Sequence, residues 1–325
     1  MADKSKIEWT NATWNPVRGC AKVSEGCRNC YAMRQAHRTN FLGGAYEGLT
    51  EIINGRPQWN GNISMVPKLL DWPLRKRKPL KIFVNSMSDL FHDDVPESFI
   101  RSVFVTMAAA RHHIFQVLTK RAVRMQEILA QWSKDGLTLR EGYGTALPNV
   151  WLGISAEDQA TADERIPLLL QTPAVVRFIS YEPALGPLYL DQWLWSHTKD
   201  DEGVKDSQPS GMIGWVIAGG ESGPGARPSH PDWFRSLRDQ CQAAGVPYFF
   251  KQWGEWEIAS AKNGHHGSVM PETGEKYTWI GKNGKTFNPS APDGQDCYSM
   301  AKVGKKKAGR LLDGRTWDEY PESPN

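Results

Sequence analysis

Short apolar segments alternate with amphipathic segments along most of this chain. Six apolar segments are rich in β-branched and aromatic residues and end in polar residues, which is typical of buried strands. They are KIFVNSMSDLF (81–91), HIFQVLTKR (113–121), VWLGISAED (150–158), VVRFISYEP (175–183), GWVIAGGESG (214–223) and PYFFKQWG (247–254). A weaker first strand is predicted near IEWTNATWNP (7–16).

Four segments between these strands have the apolar spacing of helices. They are PESFIRSVFVTMAAARH (96–112), AVRMQEILAQWS (122–133), ATADERIPLLLQT (160–172) and HPDWFRSLRDQCQAAG (230–245). Strands that are apolar throughout, alternating with helices, predict a parallel sheet covered by helices on its outer face. About seven strands suffice for a partial, open parallel β/α barrel. A doubly wound open sheet is the alternative.

Polar residues follow nearly every predicted strand. In a parallel barrel all carboxyl ends open on one face, where active sites are built, whereas a doubly wound sheet concentrates polar ends at its switch point. The distribution along this chain therefore favours the barrel. The residues are Asn85, Ser86, Asp89, Thr119, Lys120, Arg121, Ser155, Glu157, Glu182, Glu221, Ser222, Lys251 and Gln252.

The barrel, with an N-terminal cysteine loop, is predicted to occupy residues 1–256. The segment 191–212 is polar and contains Gly and Ser, so it is predicted to be a surface excursion. Residues 257–325 are turn-rich and lack long periodic segments, which predicts an irregular C-terminal extension packed on the barrel.

The composition is that of a globular protein, with 40% hydrophobic and 23% charged residues among 325. No window approaches the roughly 18 apolar residues of a membrane span, and the N-terminus lacks the apolar core of a signal peptide, so we expect a cytoplasmic protein without membrane contacts. The net charge of +3 gives no global electrostatic argument for nucleic-acid binding.

Three of the five cysteines lie close together as C-x6-C-x2-C, at Cys20, Cys27 and Cys30. A reducing compartment argues against disulfides and favours a metal site or a reactive thiol. Structural zinc needs a fourth ligand, for which His37 is a candidate, whereas a [4Fe–4S] cluster on three thiolates keeps one iron open. The spacing leaves zinc, an iron–sulfur cluster and redox or packing cysteines open. The position after the first predicted strand favours a cluster at the barrel mouth.

Eight ordered blocks span nearly the whole chain: NPVRGCAKVSEGCRNCYA (15–32), VNSMSDLFHDDVP (84–96), QVLTKR (116–121), VWLGISAED (150–158), ISYEPALGPL (179–188), AGGESGPGARP (218–228), FFKQWG (249–254) and KKAGRLLDGRTWDEYP (306–321). In these blocks the chain resembles a phage- and prophage-associated three-cysteine family of largely unassigned function, which is grouped by fold with radical SAM enzymes. The first cysteine gap is six residues, where radical SAM enzymes usually have three, and the aromatic Tyr31 follows the third cysteine instead of preceding it.

This resemblance implies a [4Fe–4S] cluster on Cys20, Cys27 and Cys30. The cluster would cleave S-adenosylmethionine reductively to a 5′-deoxyadenosyl radical, with an electron from a donor such as flavodoxin or ferredoxin. Candidate cofactor contacts by this analogy are Tyr31, Asn85, Ser86, Ser155, Glu157, Gly219, Gly220 and Glu221. Candidate catalytic residues at the strand ends are Asp89, Lys120, Glu182 and Lys251.

The basic residues of TKR (119–121) and the KQW segment (251–253) would place cations and an aromatic surface near the mouth, which suggests a nucleotide or nucleic-acid base as the substrate. Ion pairing of these cations with carboxylates of the barrel is the competing interpretation. The alternative function is a zinc-stapled nucleic-acid-binding phage protein without catalysis. A metal-independent hydrolase using Asp89, Glu157 and Glu221 is a third hypothesis, for which the spacing identifies no nucleophile and base.

Overall fold

The computed structural model describes residues 4–194, 212–259, 276–288 and 296–322. A seven-stranded parallel sheet forms the centre of the described chain, and its strands follow one another in sequence order. The strands are β1 (Ala12–Trp14), β2 (Lys81–Val84), β3 (Ile114–Thr119), β4 (Val150–Ser155), β5 (Val176–Tyr181), β6 (Trp215–Gly219) and β7 (Tyr248–Gln252). The sheet curls into an open half-barrel, so the predicted partial β/α barrel is confirmed.

Helices cover the outer face of the sheet between successive strands, as predicted. These are α2 (Glu97–Ala109), α3 (Ala122–Lys134), α4 (Gln159–Leu170) and α5 (Pro231–Ala244), while a short α1 (Tyr31–His37) follows the cysteines. Local sequence sets their ends. Asp158 and Thr161 form a reciprocal capping box at the start of α4, and Gly245, with φ of 67°, ends α5 in the left-handed conformation that glycine favours. None of the described helices is long and apolar enough to cross a membrane.

The excursion between β1 and β2 contains the cysteine loop and two small antiparallel ribbons. One ribbon pairs Val17–Arg18 with Ser64–Met65, and the other pairs Thr50–Ile53 with Arg56–Trp59. Short 3-10 helices lie at Glu25–Cys27, Pro67–Leu69 and Pro73–Arg75. The second ribbon, which we call the 50–59 hairpin, packs beside α1.

Aromatic side chains fill the lower interior of the half-barrel. Trp9, Trp151, Phe178, Trp215 and Phe249 are buried there in one cluster, in tilted and edge-on contacts. Large rings fit because a small residue faces them: a Cβ on Gly153 would lie 2.5 Å from the Phe178 ring. This cluster closes the interior below the carboxyl ends of the strands, so only the upper part of the barrel is open.

The C-terminal extension contains regular structure that its turn-rich sequence does not predict. Its described part forms a four-stranded antiparallel sheet, in the order β8 (Trp256–Ile258), β11 (Cys297–Lys302), β9 (Tyr277–Gly281) and β10 (Thr286–Phe287), followed by α6 (Lys305–Ala308). These strands are short and contain polar residues, so the sequence gives only a weak strand pattern. Their pairing depends on partner strands far along the chain. The predicted surface excursion at 191–212 lies mostly outside the described residues.

Candidate functional site

The cysteine loop runs from the end of β1 to the start of α1. Cys27 ends a 3-10 turn and Cys30 is the residue that precedes α1. Gly19, with φ of +87°, lets the loop pass against the backbone carbonyl of Asn62, where a side chain would collide. The loop is therefore held at its start by the first ribbon and at its end by a helix.

All three cysteines of the loop line one cavity of about 200 Å³ at the carboxyl end of the half-barrel. We call this the cysteine cavity. The structure brings most of the predicted site residues to its wall: Tyr31, Asn85, Ser86, Asp89, Lys120, Ser155, Glu182, Gly220, Glu221 and Lys251. Two predicted residues, Glu157 and Gly219, are not on that wall.

Two of the three thiols of the cysteine cavity, those of Cys20 and Cys30, have raised pKa values. Burial and the nearby Asp89 carboxylate raise the pKa of Cys20 to about 12, and burial raises the pKa of Cys30. Among the described residues, no three His, Cys, Asp or Glu side chains are grouped closely enough to hold a metal ion as they stand. Metal binding would release the thiol protons. Three soft sulfur donors on one wall fit a zinc or iron–sulfur centre better than a hard cation.

Glu157 lies behind the cysteine loop and is 1% exposed. Its carboxylate accepts hydrogen bonds from Ser24 at 2.9 Å and Arg165 at 3.1 Å, and it pairs with Lys120 at 3.2 Å. A Cβ on Gly26 would overlap this carboxylate. The Glu157 carboxylate is therefore occupied by the loop and by two cations.

Glu221 forms a second attachment for the same loop. Arg227 donates to its two oxygens at 2.6 and 2.9 Å, and Asn29 of the loop donates to it at 3.0 Å. Arg227 also reaches Glu25 of the loop at 3.2 Å. The six-residue gap between the first two cysteines thus supplies two side chains that attach the loop to the barrel: Ser24 contacts Glu157 after β4, and Glu25 contacts Arg227 after β6.

Two further carboxylates of the cysteine cavity are also paired. Lys251 binds both oxygens of Glu182, at 2.8 and 2.9 Å. Asp89 accepts hydrogen bonds from Thr119 at 2.7 Å and from the backbone of Lys120 at 3.1 Å, which joins the ends of β2 and β3. The predicted cations of the mouth are thus engaged in ion pairs or hydrogen bonds with barrel carboxylates.

Asn85 and Tyr31 are the wall residues best placed to contact a ligand. Asn85 is 2% exposed with φ of 59°, and its Nδ2 has no hydrogen-bond partner in the described chain. An unsatisfied buried donor on a cavity wall needs an acceptor that the protein does not supply. Tyr31 donates from its hydroxyl to the Ser86 carbonyl at 2.6 Å, which fixes its ring at the edge of the cavity.

Gly219 and Gly220 let the end of β6 approach neighbouring backbone. A Cβ on Gly220 would collide with the Trp253 carbonyl, and one on Gly219 would lie 3.4 Å from the Glu182 carboxylate. Both glycines therefore pack closely against the protein's own chain. His37, the candidate fourth zinc ligand, contacts Thr50 at 3.2 Å and does not line the cysteine cavity.

Sequence reasoning missed the residues that attach the loop: Ser24, Asn29, Arg165 and Arg227. Only Arg165 could have been identified from the sequence. It lies on the apolar face of α4 beside Ile166 and is 3% exposed. A charged residue on a buried helix face indicates a buried partner. The other three are recognisable only when the loop is seen together with the residues that follow β4 and β6.

The fold and the site define a class of protein: a partial parallel β/α barrel with a three-cysteine loop at its open mouth. Within that class, the chain belongs to the family described as protein of unknown function (DUF5131), whose model matches residues 4–321. No curated protein matches the chain. Among solved structures, it is similar to a serine-for-cysteine mutant of spore photoproduct lyase, with 12% identity and a TM-score of 0.40 over 95% of this chain and 72% of that one.

Proposed function

We propose that this protein is an iron–sulfur enzyme that cleaves S-adenosylmethionine reductively at the barrel mouth, with Cys20, Cys27 and Cys30 as cluster ligands. The observation that supports this proposal most is that all three thiols line one cavity together with the polar ends of the barrel strands. Three ligands from one loop, facing a cavity with room for a small molecule, suit a cluster with one open iron. The substrate is a nucleotide or a nucleic-acid base in this proposal.

Cys20, Cys27 and Cys30 would hold the [4Fe–4S] cluster, which would supply an open iron and one electron, taken from a donor such as flavodoxin or ferredoxin, for cleavage of S-adenosylmethionine to methionine and a 5′-deoxyadenosyl radical. That radical would take a hydrogen atom from the substrate. The chain's own residues bind and shield these molecules.

Asn85 donates its free Nδ2 hydrogen to an oxygen of the bound S-adenosylmethionine, and Ser155 offers a hydroxyl from the end of β4. The ion pair of Glu182 and Lys251 presents a nearly neutral polar surface on the cavity wall. Trp9, Phe83 and Leu118 form an apolar floor under the cavity, which keeps water from a reactive intermediate. The cysteine cavity thus has a polar upper wall and an apolar base.

Anaerobic reconstitution tests the proposal. We expect a brown protein with about four irons per chain that forms 5′-deoxyadenosine from S-adenosylmethionine and dithionite. Cys27→Ala should lose most of the iron and this activity. Cys297→Ala, a buried cysteine outside the cysteine cavity, is the matched control and should retain both.

A colourless product with about one zinc per chain would contradict the iron–sulfur proposal. It would support the alternative of a zinc-stapled nucleic-acid-binding protein. If neither iron nor zinc content changes in Cys27→Ala, the loop is not a metal site and both functions are wrong.

A further inference from the structure

A second cavity, of about 290 Å³, lies on the far side of the cysteine loop. Its wall is formed by the loop itself, by α1, by the 50–59 hairpin and by the loop at residues 222–225. Three arginines line it: Arg28, Arg34 and Arg56. We call this cavity the arginine pocket.

The arginine pocket has a strong excess of positive charge, because its lining residues include three guanidinium groups and no carboxylate. Arg28 pairs with Glu25 at 3.8 Å, and both side chains are largely exposed. Within the described part of the chain, the Arg34 guanidinium donates only to the Ser222 carbonyl, at 3.5 Å. The Arg56 guanidinium makes no hydrogen bond or ion pair with the described residues. Most of the donor capacity of these arginines is therefore available to a ligand.

Glycines in the adjoining loop make room for this arrangement. Gly223, with φ of +105°, packs directly against the Arg34 guanidinium, and any side chain there would overlap it. A Cβ on Gly225 would lie 2.6 Å from the Asn29 side-chain oxygen. Gln58 on the hairpin adds a buried Oε1 without a hydrogen-bond partner. The GESGPG segment (220–225) thus shapes the pocket and holds one arginine in place.

The arginine pocket adjoins the cysteine cavity. Asn29, Cys30 and Ser222 line both. A molecule anchored among the arginines can therefore extend past Cys30 towards the barrel mouth.

We propose that the arginine pocket binds a phosphate group of a nucleotide or nucleic-acid substrate and positions that substrate against the cysteine cavity. Guanidinium groups bind phosphate oxygens through two parallel hydrogen bonds, and three of them suit an anion that offers several oxygens. Phosphate binding follows from the pocket alone. Its description as a substrate anchor rests on the proposed function.

Fluorescence anisotropy with a short labelled single-stranded oligonucleotide tests the pocket. We expect Arg56→Gln and Arg28→Gln each to weaken binding by about tenfold and to lower the salt slope by about one. Arg38→Gln is the matched control, since Arg38 lies one turn beyond Arg34, is exposed and does not line the pocket. It should bind within about twofold of the unmodified protein.

Competition identifies the source of the phosphate. Displacement by a nucleoside monophosphate supports a nucleotide, and displacement by unlabelled oligonucleotide alone supports a nucleic acid. Equal binding by Arg56→Gln, Arg28→Gln and Arg38→Gln, or no binding by the unmodified protein, would overturn the inference. Iron content and 5′-deoxyadenosine formation are measured on the same samples. A loss of oligonucleotide binding is thereby distinguished from an absence of the proposed enzymatic activity.

Discussion

Glu157 shows how a single buried carboxylate can organise a functional loop. It meets two cations and a hydroxyl behind the cysteines, although sequence analogy suggested a direct ligand contact. The residue type and its place after β4 were visible in the sequence. Its partners were not, because Ser24 and Arg165 reach it through tertiary contacts. The same applies to Glu221, whose partners include Asn29 of the loop and Arg227.

Glu157→Gln should lower the free energy of unfolding by about 3 kcal/mol, because it leaves Lys120 and Arg165 buried without their shared anion. It should also speed the reaction of the three loop thiols with Ellman's reagent, since Ser24 loses its charged acceptor. Urea unfolding and thiol-reaction rates measure the two effects. Glu164→Gln is the control, because Glu164 is an exposed glutamate on α4, the helix that follows Glu157. Equal behaviour of the two variants would show that Glu157 does not hold the loop.

At the scale of elements, the bounds of helix α5 follow from its sequence, whereas the role of His230 at its start depends on tertiary packing. HPDWFRSLRDQCQAAG predicts its start and end correctly, with Pro231 at its first position and Gly245 after its last turn. The role of His230 depends on packing: it is fully buried, its Nδ1 accepts from the Asp232 backbone at 3.2 Å, and its ring packs near Tyr298 of the C-terminal sheet.

Burial lowers the pKa of His230 to about 4, so the folded protein keeps this imidazole neutral while the unfolded chain protonates it below about pH 6.5. The unfolded state binds more protons in that window, and stability is lost as the pH falls from 6.5 to 4. The contribution is about 3 kcal/mol at about 1.4 kcal/mol per pKa unit. Urea unfolding across this range should show a smaller loss for His230→Asn than for the unmodified protein. An equal loss of stability in the two proteins as the pH falls would contradict this role of His230.

Across the whole molecule, the C-terminal segment closes the aromatic interior from below. The Trp215 indole donates to the Glu319 carbonyl at 2.9 Å, and Tyr320 packs against Trp215 and Phe249 with centroids 5.3 and 5.5 Å apart. Lys81 lies 3.4 Å above the Tyr320 ring, which ties the segment to β2. The described chain therefore ends against the strands that carry the site.

Tyr320→Ala should destabilise the protein by about 2 to 3 kcal/mol, because it removes a large ring from a half-buried contact with two buried aromatics. It should also increase quenching of tryptophan fluorescence by acrylamide as Trp215 becomes accessible. Tyr320→Phe keeps the ring packing and is the control, with stability close to that of the unmodified protein. Unchanged quenching in Tyr320→Ala would show that this segment does not cover the interior.

The sequence by itself determined the seven strands, the four covering helices, the polar strand ends and the cysteine spacing, because each of these is written in local periodicity and composition. Only the tertiary structure decided that Trp9, Trp151 and Trp215 fill one interior, and that the strand-end cations are paired. It alone also decided that Arg28, Arg34 and Arg56 meet at one pocket. Those contacts join residues far apart in the chain, and a pattern read over a few residues carries no information about which distant groups a fold brings together.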